Sequence, residues 1–79
     1  MPLDSSHPKW ERVAFACGAE AEANGRHSMN NDDRLDIAIA YGEPDEKFIN
    51  LPMTVRNRAT ELFWQGVEAE RDAAKSFKI

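Results

Sequence analysis

The chain is short of nearly everything that announces a chemistry. It holds a single cysteine, Cys17, so no intrachain disulfide can form and a disulfide-stapled secreted scaffold is excluded. No apolar run approaches the roughly 20 residues that a membrane-spanning helix needs. The opening residues Met1-Pro2-Leu3-Asp4-Ser5-Ser6 lack the basic start and apolar core of a signal peptide. The expectation is a cytoplasmic protein without a membrane partner.

Paired metal ligands are missing too. His7, Cys17 and His27 lie scattered, with no Cys-x-x-Cys or His-x-x-x-His spacing. There is no Gly-x-Ser-x-Gly turn and no glycine-rich phosphate loop. Cys17 falls on the apolar face of a helical pattern, where a free cysteine behaves as a small hydrophobe. No nucleophile–base or metal set converges, so the chain is expected to be non-enzymatic and to use no cofactor. With 79 residues it is one domain with a thin core and little room for a deep substrate pocket.

A surplus of cations is also lacking. The formal net charge of −4 argues against simple attachment to a phosphate backbone, which needs concentrated Lys and Arg.

What is present is helical periodicity. After Pro8, which is tolerated in a first helical turn, Trp10, Val13, Ala14, Cys17 and Ala21 recur at spacings of three and four. Asn24-Gly25 is a stop signal, which places a first helix at 8–24. Gly18 inside it marks a close approach to another element. Residues 26–33 are polar and rich in turn formers, and read as a loop. At the other end, Val55, Ala59, Leu62, Phe63, Gly66, Val67, Ala73, Ala74 and Phe77 draw an apolar stripe over a helix at 53–76.

The middle is ambiguous. Leu35, Ile37, Ile39 and Tyr41 alternate with Asp36, Ala38 and Ala40, the period of a half-buried strand. Lys47 to Leu51 follows the turn Gly42-Glu43-Pro44-Asp45, and the two runs over 35–51 read as a short β-hairpin. Against this, Asp32 and Asp33 suit a helix start and Gly42 a helix stop. The hairpin is preferred because the large apolar residues scatter around a helical wheel. The expected fold is therefore mainly α, an antiparallel helical hairpin of 8–24 and 53–76 with a β-hairpin insert. An all-α three-helix domain is the alternative.

Two features point to a partner. Arg56 and Arg58 stand in the first turns of the last helix, where cations oppose the helix dipole. If the two long helices run antiparallel, Arg26 and His27 join them at one end as a basic pole. Trp64 beside Phe63 is the second feature: adjacent helical residues point about 100° apart, which leaves Trp64 at the stripe's edge, either as an interface anchor or as a cap over the apolar face of a thin core. The carboxylates Asp32, Asp33, Asp36, Glu43, Asp45 and Glu46 form an acidic face without calcium-loop spacing.

The pattern Ala14-x-x-x-Gly18 leading to Gly25-Arg26, then Pro52 and Phe63-Trp64-Gln65-Gly66, resembles ribosome modulation factor and its relatives, small bacterial proteins. The matching blocks are separated by a long insert, and Asn50-Leu51-Pro52 stands where the modulation factor has Cys-Pro-Tyr. The resemblance implies two helices meeting at facing glycines, binding to the small ribosomal subunit and silencing of translation, with Arg26, Arg56 and Arg58 as RNA contacts. The acidic face supports a different expectation, an inhibitor of the kind carried by phages and mobile elements that binds a basic nuclease or DNA-binding protein. A homodimer through the long amphipathic helix is a further option.

Overall fold

A computed structural model describes residues 3–26, 28–42 and 47–76. Among these, the elements are α1 (Lys9–Ala23), α2 (Asn31–Tyr41), a 3-10 turn η1 (Phe48–Asn50) and α3 (Met53–Ser76). The two long helices fall where periodicity places them, to within a residue of the expected 8–24 and 53–76.

The β-hairpin over 35–51 is not formed; the described residues of that stretch are α2 and η1. The reason lies in the caps. The Asn30 side chain accepts from the Asp33 N–H at 2.8 Å, and the Asp33 carboxylate accepts from the Asn30 N–H at 3.1 Å. This reciprocal capping box satisfies two of the orphan donors of a helix start. At the far end Gly42 takes φ 103°, closing the helix in the left-handed conformation that only glycine adopts at no cost. The alternating apolar residues then divide into two pairs. Ile37 and Tyr41 share one side, Leu35 and Ile39 the other, about 200° away at 100° per residue. Ile37 is fully buried and Tyr41 partly so, whereas Leu35 and Ile39 are 49% and 48% exposed.

α1 and α2 form the antiparallel pair. Trp10 meets Tyr41 edge-to-face with ring centroids 6.0 Å apart at one end. Arg26 meets Asp33 at 2.9 Å at the other. α3 then crosses α1 in the same sense. Glu11 faces Arg58 at 3.8 Å before the crossing, and Glu22 faces Arg71 at 3.3 Å after it. The antiparallel pairing expected for 8–24 and 53–76 is therefore corrected: α1 and α3 start at the same end. One helix between them reverses the chain, where a β-hairpin would have led out and back.

The crossing is set by two glycines. A Cβ on Gly18 would fall onto the Phe63 carbonyl and lie 3.0 Å from its Cα. A Cβ on Gly66 would fall onto the Phe15 carbonyl and lie 3.0 Å from the Ala19 nitrogen. The backbones thus touch with no side chain between them. Around this point the core divides into two clusters, one on Ala14, Ile37, Ala38, Leu51, Ala59 and Leu62, the other on Cys17, Ala21, Phe63 and Val67. From Ala59 to Val67 the apolar stripe of α3 is covered by α1 of the same chain. Its far end differs from expectation, since Ala73 and Ala74 are exposed, and Phe77 lies outside the described residues.

Candidate interaction surfaces

The parallel sense of α1 and α3 divides the expected basic pole. Arg26 follows the end of α1, while Arg56 and Arg58 stand at the start of α3, beside the start of α1. About 15 residues of α1 lie between these ends, roughly 22 Å at 1.5 Å per residue. His27 lies outside the described residues.

Each of the three arginines also has internal partners. Arg26 donates to the buried Asp33 carboxylate. Arg56 donates through Nε to the Leu51 carbonyl at 3.0 Å, tying the entry of α3 to the turn before it. Arg58 bonds Glu61 at 2.8 Å and lies against Glu11, which in turn contacts His7 Nδ1 at 3.0 Å. The cations that accompany Arg56 and Arg58 at this end are Lys9 and Arg12, which lie within the first turns of α1. A reading of the sequence can find them only if the helices are known to start together.

Trp64 is 44% exposed and stacks edge-on against Phe63, centroids 5.4 Å apart. It sits at the edge of the apolar stripe, as the wheel requires.

The acidic residues divide as well. Asp33 faces inward at 6% exposure, as capping residue and partner of Arg26. Asp32 and Asp36 are exposed on α2, and no ion pair within 4.0 Å holds either among the described residues. Glu43, Asp45 and Glu46 lie outside the described residues. Three carboxylates not singled out in the sequence, Glu68, Glu70 and Asp72, add to this side of the charge balance on the outer turns of α3. They line the open grooves of about 550 Å³ beside the crossing, whose floor is Phe15, Ala69 and Ala73. The direction of α1 and α3 gives the molecule a polarity. Lys9, Arg12, Arg56 and Arg58 outnumber Glu11 and Glu61 in the first halves of these helices, and Glu20, Glu22, Glu68, Glu70 and Asp72 outnumber Arg71 and Lys75 in the second, although Arg12 and Glu70 line one groove. The positive and negative ends of two helix dipoles reinforce the same polarity.

For nucleophilic chemistry the geometry offers little. The buried Cys17 thiol is pushed up from its ordinary 9.0 to about 12, first by burial and then by the neighbouring Asp33 and Asp36 charges. A thiol held neutral in this way is no nucleophile at neutral pH. Among the described residues, no three His, Cys, Asp or Glu side chains are grouped to hold a metal ion, and no helix is long and apolar enough to cross a membrane.

Compared with known proteins, the chain matches no family model, no curated protein and no solved structure.

Proposed function

We propose that this protein is a non-enzymatic interaction module that engages a basic macromolecular partner, such as a nuclease or DNA-binding protein, through its acidic side. One observation carries the reading. Arg26 lies apart from Arg56 and Arg58 and each of the three has an internal partner, whereas Asp32, Asp36, Glu68 and Asp72 are exposed with no ion pair within 4.0 Å among the described residues. Solvated charges of one sign steer and hold a partner of the other, and that attraction is screened by salt.

The ribosome-associated reading keeps one specific support: Gly18 and Gly66, which carry the resemblance to the modulation factor family, each lie against the backbone of the other's helix at the crossing. The two readings separate in one experiment. The tagged protein is used to capture partners from a cell lysate at about 0.05 M and about 0.5 M salt, together with an Asp32→Lys, Asp36→Lys variant and an Arg56→Glu, Arg58→Glu variant. The proposal expects basic proteins, retained by the arginine variant and released by high salt or by the aspartate variant. Co-sedimentation with the small ribosomal subunit that the arginine variant abolishes would overturn it.

A further inference from the structure

We draw no further inference here: the strongest candidate, the open apolar groove beside the α1–α3 crossing with Phe15, Ala69 and Ala73 as its floor, is lined by the opposite charges of Arg12 and Glu70, and nothing in the structure shows what covers it.

Discussion

Gly18 and Gly66 make the sharpest test of the fold, because two physical effects pull their substitution in opposite directions. In an isolated helix, alanine in place of glycine gains about 1 kcal/mol. In this structure the new Cβ of Gly18→Ala lands on the Phe63 carbonyl, 2.7 Å from its carbon. The obstacle is backbone, so no side chain can swing aside. The helices must separate by about an ångström, and a gap of that size forfeits a quarter to a half of each dispersion contact across it. The contacts at risk include those of Ala14, Cys17, Ala21, Leu62, Phe63 and Val67. Overpacking typically costs about 1–3 kcal/mol, and a backbone–backbone overlap belongs at or above the top of that range. After the propensity gain, each Gly→Ala change is expected to cost about 2–4 kcal/mol.

For 79 residues the whole stability is on the order of 4–12 kcal/mol, so either change removes a large share of it. In thermal unfolding followed by circular dichroism, that is a fall of about 10–25 °C in Tm. The exposed Ala16→Gly in the same helix calibrates propensity alone, at about 1 kcal/mol. The double variant carries more information than either single. Once one methyl has parted the helices, the second meets an open gap, so the pair is expected to cost less than the sum by about 1–2 kcal/mol. A rise in Tm for Gly18→Ala or Gly66→Ala would refute the close crossing, since propensity would then act unopposed.

Other consequences follow from the buried polar groups and from the exposed tryptophan. Asp33→Ala removes the capping box and leaves Arg26 without its carboxylate; a loss of about 1–3 kcal/mol in urea unfolding is expected, and a change below about 0.5 would mean that the box does not close α2. Cys17, with its thiol at about 12, is expected to resist iodoacetamide at pH 8 in the native protein and to react once urea unfolds it; comparable rates in both states would show that the site is open. The same thiol makes stability fall in alkali. Its folded pKa is raised, so the contribution is intact below the ordinary value of 9.0 and is lost progressively as pH rises from there through about 12, a slope that Cys17→Ala should remove. Trp64→Gln, at a position 44% exposed, is expected to change stability by less than about 1 kcal/mol, and a larger loss would place Trp64 in the core.

Both long helices were legible in the sequence because each has one apolar stripe with a stop or start beside it, Gly25 after α1 and Pro52 before α3. Gly25 performs the role its position implies: with φ 74° it lets the Arg26 N–H reach the Ala21 carbonyl at 2.8 Å, closing a Schellman turn. α2 is hard to read for the opposite reason. Its apolar residues occupy two faces, Ile37 and Tyr41 inward, Leu35 and Ile39 outward, and two faces of a helix sampled every second residue resemble one face of a strand. The caps at Asn30 and Gly42 were the better signal, since cap chemistry fixes the backbone directly whereas alternation reports only burial.

The candidate site was less legible than the fold, and one error of topology accounts for most of the difference. Which arginines share an end depends on the number of times the chain traverses the domain between α1 and α3. A β-hairpin makes two traverses and would deliver α3 beside the end of α1, gathering Arg26 with Arg56 and Arg58. α2 makes one traverse, about 16 Å at 1.5 Å per residue, and delivers α3 beside the start of α1. That single reversal sends Arg26 to Asp33 and Arg58 to Glu11, aligns two helix dipoles, and brings Glu20 and Glu22 of α1 to the same end as Glu68, Glu70 and Asp72 of α3. The charge pattern that distinguishes an acidic docking module from an RNA-binding one is therefore set by the parity of the connection. No composition or local spacing carries that parity; the capping box of Asn30 and Asp33, by making residues 31–41 one helix, does.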